Sequence, residues 1–312
     1  MTDPIPAWPG ELVSIGTDEV FVRTAPADAG AEPALFVHGL GGSSLNWTDL
    51  MEALRQPPGN GQVGAELACE ALDLPGFGFS PPPASRDYSI TARADAVIGL
   101  IEKRGNWPVH LIGNSLGGAV CTRVAGRRPD LVRTLTLISP ALPDLRPRPL
   151  PLRVTVLCVP GVGPWLMRRI QQLSAEDRSS RTIKDVYRDP DLMHPLRRSA
   201  ETAELLRRDE LGYAGEVLIE SARALVAEYA RRGPGSLWRD AAMVSAPTLV
   251  IHGSHDRLVN PVMAARAGRA FRNGRVLVLP RLGHVAMMER PDLVAIEMRA
   301  LLASAAADAR AR

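Results

Sequence analysis

The sequence predicts an α/β fold: a doubly wound, mostly parallel, eight-stranded sheet with an inserted helical cap. Three observations predict it. Strand-like apolar runs alternate with helix-like runs up to about residue 140, the order that builds parallel sheets. The alternation stops over 141–240, where prolines and Arg/Glu-mixed helical stretches replace strand patterns, and then resumes. The chemically notable residues fall at the carboxyl ends of strands, where open parallel sheets bind ligands. The core is therefore expected at 1–140 and 241–312, and the cap at 141–240.

The elements follow in order. "ELVSIG-TDEVFVRTAP" reads as a hairpin turning at Thr17-Asp18. "PALFVHGLGG" is an apolar strand running into a glycine loop, and "GAELACEALDLPGFGFSP" is a strand followed by a Pro/Gly turn. "ITARADAVIGLIEKRG" has helical apolar spacing and stops at Gly105. Val109 to Ile112 reads as a strand buried on both faces, with a helix after it to about Arg128. "VRTLTLISPA" is a further strand. Beyond the insertion come "APTLVIHGSHD", a helix from about Pro261, the strand "RVLVLPRLGH", and the helix "RPDLVAIEMRALLASA". The final "ADARAR" is expected to fray.

Composition narrows the function. The chain has 312 residues, 46% of them apolar, enough for one large domain with an insertion. Its formal net charge of +3 is not gathered into runs, so nucleic acid is not an expected partner. Cys69, Cys121 and Cys158 have no metal-ligand spacing, and no metal is expected. Three cysteines without a disulfide pattern, and an opening "MTDPIPAWPG" unlike a secretory leader, point to the cytoplasm. No apolar run reaches membrane-spanning length, so no stable membrane insertion is expected.

Gly113-Asn114-Ser115-Leu116-Gly117 matches G-x-S-x-G between a strand and a helix. On a sharp turn that pattern strains the serine backbone and exposes its hydroxyl. A serine hydroxyl needs a base to act as a nucleophile. His284, after the last strand, is the candidate base, and a carboxylate must fix its tautomer. Asp256, after the preceding strand, suits that role; Asp144, after the sixth strand, is the alternative. Oxyanion donors are expected from the backbone N–H groups of Leu116 and Leu40, the latter within "HGLGG".

Together, His38-Gly39-Leu40-Gly41-Gly42, Asp73-Leu74-Pro75-Gly76-Phe77-Gly78-Phe79-Ser80, Gly113 to Gly118, Asp256 and Gly283-His284 resemble the α/β-hydrolase fold family, in its serine carboxylesterase-like form with a helical cap. The resemblance implies a Ser-His-acid triad, an oxyanion hole, no cofactor, and a cap between the sixth and seventh core strands. A serine at 115, where epoxide hydrolases and haloalkane dehalogenases of this fold carry aspartate, points to acyl transfer on a small molecule: ester, thioester or lactone hydrolysis, with a carboxylic ester expected. Carbon–carbon hydrolases of ring-fission products share "GNSLGGA", but they typically show a Gly-Pro-Gly loop and a tryptophan after the histidine. Here the loop is "HGLGGSS", and Val285 follows His284. A non-turnover ligand-binding protein of the same fold is the remaining alternative.

The apolar residues of the insertion, from Leu150 and Leu152 through Val159, Trp165 and Leu166, are expected to help line a pocket for a hydrophobic or lipid-like acyl group. Ser43 and Asn114 near the nucleophile, with Val285 and Met288 beside the base, complete the expected substrate contacts. Asp73 is expected to fix a turn, Trp47 to pack, and His38 to support the glycine loop rather than act as a base.

Overall fold

Eight strands form one sheet in the order β1-β2-β4-β3-β5-β6-β7-β8, in a computed structural model that describes residues 8–55, 66–144 and 154–310. The strands are β1 Gly10–Ile15, β2 Asp18–Thr24, β3 Glu32–Val37, β4 Leu67–Leu72, β5 Val109–Asn114, β6 Val132–Ile138, β7 Thr248–Gly253 and β8 Gly274–Leu279. β1 and β2 form the antiparallel hairpin, and β2 pairs antiparallel with β4. The other pairings are all parallel. The strand order reverses around β3, so the loop after β3 lies beside the loop after β5, where ligand crevices form in such sheets.

The helices, in chain order, are α1 Thr48–Arg55, α2 Ile90–Arg104, α3 Leu116–Arg127, α4 Val162–Gln171, α5 Ala175–Val186, α6 Pro195–Asp209, α7 Ala214–Ala230, α8 Leu237–Met243, α9 Met263–Ala270, α10 Ala286–Glu289 and α11 Pro291–Arg310. Their ends follow local chemistry. Ser89 caps α2 by accepting the Ala92 N–H, and Gly105 ends it in a left-handed conformation (φ 72°) open to glycine. α11 continues through Arg310, where the sequence suggested fraying.

Side chains alternate between two apolar layers. On β3, Leu35 and Val37 join one cluster with α2, α3 and α8. Ala34 and Phe36 join the other, with α1 and α11. This period of two is the signature of a strand covered on both faces. Trp47 is fully buried against Phe36, with ring centroids 5.4 Å apart, as its packing role required. Cys69 and Cys121 are buried, and Cys158 is half-buried.

Between β6 and β7 the described residues form helices and no strand. Leu150 and Leu152 lie outside the described residues. The inserted helices are fastened to the core by buried ion pairs. Arg197 on α6 pairs with Asp49 at 2.6 Å and bonds to Thr48. Arg123 on α3 pairs with Glu228 on α7 at 2.7 Å and with Asp240 on α8 at 2.9 Å. Arg123 and Glu228 are each about 3% exposed, so neither charge can turn to water if its partner is lost.

Removing one partner of such a pair leaves an uncompensated buried charge, at a cost of about 3–5 kcal/mol. Glu228→Gln should therefore lower the unfolding free energy in urea by about 3 kcal/mol, the low end because Asp240 remains. A loss below about 1 kcal/mol would mean the pair behaves like an exposed one.

Candidate active site

The candidate site begins with a backbone strain. Ser115 joins β5 to α3 with φ 53° and ψ −117°, a region non-glycine residues avoid. Its neighbours leave no room to relax. A Cβ at Gly117 would collide with the carbonyl oxygen of Val37, and one at Gly113 would lie 2.5 Å from the Gly117 oxygen. Strand and helix therefore touch backbone to backbone. The Ser115 N–H donates to Ile138 at 3.1 Å, and the Ser115 carbonyl accepts from Ala141 at 2.9 Å. These bonds hold the turn against the end of β6.

The glycine loop after β3 packs onto this turn. A Cβ at Gly39 would stand 3.1 Å from the Ser115 Cβ. Neither the Leu40 N–H nor the Leu116 N–H makes a hydrogen bond among the described residues. The Leu116 N–H also opens α3, where the helix dipole favours negative charge. The loop is braced by His38. Its Nδ1–H donates to Gly39 O at 2.7 Å, and its Nε2 accepts the Leu74 N–H at 2.9 Å. Burial lowers the His38 pKa to about 3, so the ring is a neutral strut. Asp73 accepts the N–H groups of Ser44 at 2.5 Å and Phe79 at 2.8 Å, fixing the turn as expected, and burial raises its carboxyl to about 6.

Asp256 and His284 meet at the ends of β7 and β8. A Cβ at Gly253 would collide with the Gly283 oxygen, so the two loops lie in contact. His284 Nδ1 donates to Asp256 Oδ2 at 2.9 Å. Asp256 Oδ1 accepts the N–H groups of Leu258 and Val259 at 2.8 and 2.9 Å. Burial alone would raise this carboxyl; the electrostatic attraction and hydrogen bond of His284 and the Val259 N–H outweigh it and hold the acid below its ordinary value. With Nδ1 carrying the shared proton, Nε2 is the free basic nitrogen. Asp256, not Asp144, is the carboxylate on His284.

Asn114 links the Ser115 turn to the His284 loop. Its Nδ2 donates to Ile138 O at 2.9 Å and to His284 O at 3.2 Å. The Ser115 hydroxyl makes no hydrogen bond among the described residues. Such bonds are often formed only once substrate is bound.

The other expected contacts divide differently. Ser43 is buried, and its hydroxyl caps a short turn at Ser44–Trp47 by accepting the Leu45 N–H. Asn114 spends its amide on two carbonyls. Val285 and Met288 pack into the core layer beside α11. Val159 and Trp165 are 45% and 52% exposed. A cavity of about 420 Å³ does lie in the insertion, between α4 and α7, but Pro164, Met167, Leu211 and Ile219 help line it rather than Val159, Trp165 or Leu166. Apolar composition alone does not say which side the helix at Val162–Gln171 presents.

Two features escaped the sequence. The buried His252 on β7 has no hydrogen-bond partner at either ring nitrogen among the described residues, and burial lowers its pKa to about 4. Glu289 is buried beside the His284 loop, and two of its three partners, Arg188 and Asp189, lie about 100 residues away in the chain. No group of residues suited to hold a metal occurs among the described residues. No described helix is long and apolar enough to cross a membrane.

Comparison with known proteins agrees with the fold. Residues 33–291 match the family model described as alpha/beta hydrolase fold. Lipase 1 of Psychrobacter immobilis is 26% identical over 289 residues, 92% of this chain and 82% of the relative. A 2-hydroxymuconate semialdehyde hydrolase of Pseudomonas putida is 27% identical, over 88% of each chain. The dihydrolipoyllysine-residue acetyltransferase component of an acetoin cleaving system, also from Pseudomonas putida, is 29% identical over 88% of this chain, which spans only 64% of that protein's length. Among solved structures, a meta-cleavage product hydrolase from Pseudomonas fluorescens superposes with a TM-score of 0.73 at 18% identity, covering 95% of this chain and 98% of the other.

The buried histidines make stability depend on pH. His38 and His252 stay neutral in the folded protein down to about pH 3 and 4, whereas an unfolded histidine takes a proton near 6.5. The unfolded chain then binds more protons, so stability falls as pH drops below 6.5, by up to about 1.4 kcal/mol per unit for each ring. His252→Leu should remove one proton's worth of that slope without loss of stability at pH 7.5, measured by urea unfolding from pH 7.5 to 4.5. An unchanged slope would show that His252 is not buried neutral.

Proposed function

The chain belongs to the α/β-hydrolase fold family, and from that premise we propose that it is a serine hydrolase cleaving carboxylic esters through an acyl-enzyme. The observation that carries the reading is the strained Ser115 turn, with two unused N–H groups beside it and the His284–Asp256 pair at the neighbouring strand ends. In this mechanism Ser115 Oγ attacks the acyl carbon while His284 Nε2 takes its proton. Asp256 steadies the resulting imidazolium through Nδ1. The N–H groups of Leu40 and Leu116 hold the oxyanion. The leaving alcohol takes the proton from His284, and water repeats the cycle on the acyl-enzyme. No cofactor takes part. The helices between β6 and β7, the expected 141–240 unit, act as the cap over this edge of the sheet.

The substrate class is a hydrophobic ester, a reading supported by the apolar content of the insertion and by the lipase among the relatives. The semialdehyde hydrolase relative supports a second reading, carbon–carbon hydrolysis with the same three residues. Esters are preferred because Val285 stands where such enzymes typically carry tryptophan.

Ser115→Ala should abolish both ester turnover and labelling by a fluorophosphonate; labelling that survives would overturn the assignment. Asp256→Asn keeps the shape but favours the wrong imidazole tautomer, and should lower kcat about 10⁴-fold. A p-nitrophenyl ester series measured beside a ring-fission dienoate separates the two chemistries. Faster turnover of the dienoate would favour the second reading, and binding without steady-state product would mark a ligand-holding protein.

A further inference from the structure

The Glu289 carboxylate ends α10 and is 4% exposed. Its Oε1 accepts the N–H of Gly283, the residue before the candidate base, at 2.6 Å. Its Oε2 accepts the N–H groups of Arg188 and Asp189, just after α5 in the insertion, at 2.9 and 3.4 Å. The same two segments meet a second time, where the His284 N–H donates to the Val186 oxygen at 2.8 Å. They touch without side chains between them. A Cβ at Gly283 would lie 2.6 Å from the Arg188 nitrogen and 2.6 Å from the Val186 oxygen. No arginine, lysine or histidine forms an ion pair with Glu289 among the described residues, so N–H dipoles alone compensate its charge. Burial accordingly raises its pKa above the ordinary value, partly offset by these same N–H groups.

We infer that Glu289 is a positioning residue: by clamping residues 186–189 of the insertion to the Gly283-His284 loop, it sets the imidazole for proton transfer and couples that edge of the cap to the base. The inference rests on the serine-hydrolase reading above. Both carboxylate oxygens are used as acceptors, one toward each segment. A glutamine of the same volume must turn its NH2 toward one set of N–H donors, and the clamp opens on that side. A shift of about 1 Å in a catalytic group can cost about 100-fold in rate.

The test compares wild type, Glu289→Gln and Ser115→Ala at a temperature where circular dichroism shows each to be folded. Rates of fluorophosphonate labelling are read beside kcat and KM on a p-nitrophenyl ester. Glu289→Gln should slow labelling and kcat by about tenfold or more, with KM changed less than about threefold. A merely structural role would lower the melting temperature and leave the labelling rate of the folded protein unchanged, and that result overturns the inference. If Ser115→Ala still labels, the underlying reading fails instead. If Glu289→Gln does not fold, hydrogen exchange on the wild type decides. The amides of Gly283, His284 and Arg188 should open in one event, with protection alike within about tenfold. Protection differing by more than about 100-fold between the two segments would overturn the clamp.

Discussion

Everything at this edge of the sheet depends on one close approach, that of Gly117 to the Val37 carbonyl. No side chain fits there, so the start of α3 lies directly on the end of β3. That contact leaves Ser115 no escape from its positive φ. It also fixes the distance between the glycine loop after β3 and the turn after β5. Strain of this kind costs about 1–3 kcal/mol and persists only where the surroundings over-determine it. Here the surroundings are the three backbone hydrogen bonds of Ser115, the Asn114 amide, and a sheet covered on both faces.

The site's remaining parts are held by neutral or charge-compensated polar groups rather than by apolar packing. His38 spans the glycine loop and the turn after β4 as a neutral ring. Asp73 gathers two N–H groups from separate loops. Asp256 divides its oxygens between His284 and its own turn. Each has a fixed direction of donation. Such bonds select one arrangement of the loops, which apolar contacts alone do not.

Much of this was legible in the sequence, for physical reasons. The strands could be read because a sheet covered on both faces demands unbroken apolar runs, such as Leu35 to Val37. Ser115, Asp256 and His284 could be located on one edge of the fold because each lies within five residues after the end of a strand, and strand ends converge in a parallel sheet. The pocket could not. Val159 and Trp165 are apolar, yet their exposure depends on how α4 rolls against α7, which no local pattern encodes. The roles of Ser43 and Asn114 were hidden because a short polar side chain reads the same whether it meets a ligand or a carbonyl. Glu289 was hidden because its partners at 188 and 189 come together with it only through the fold.

The cysteines carry a consequence for anyone who wishes to watch the inserted helices. Burial pushes the Cys69 thiol up to about 12 and that of Cys121 well above its ordinary value, so both are poor nucleophiles toward alkylating dyes. Burial raises the Cys158 thiol too, but this side chain is only half-buried and so is the accessible one of the three, and its own carbonyl holds Arg223 of α7 at 3.0 Å. A maleimide fluorophore offered to the folded chain is thereby directed to one place, a reporter seated on the insertion with the sheet beneath it untouched.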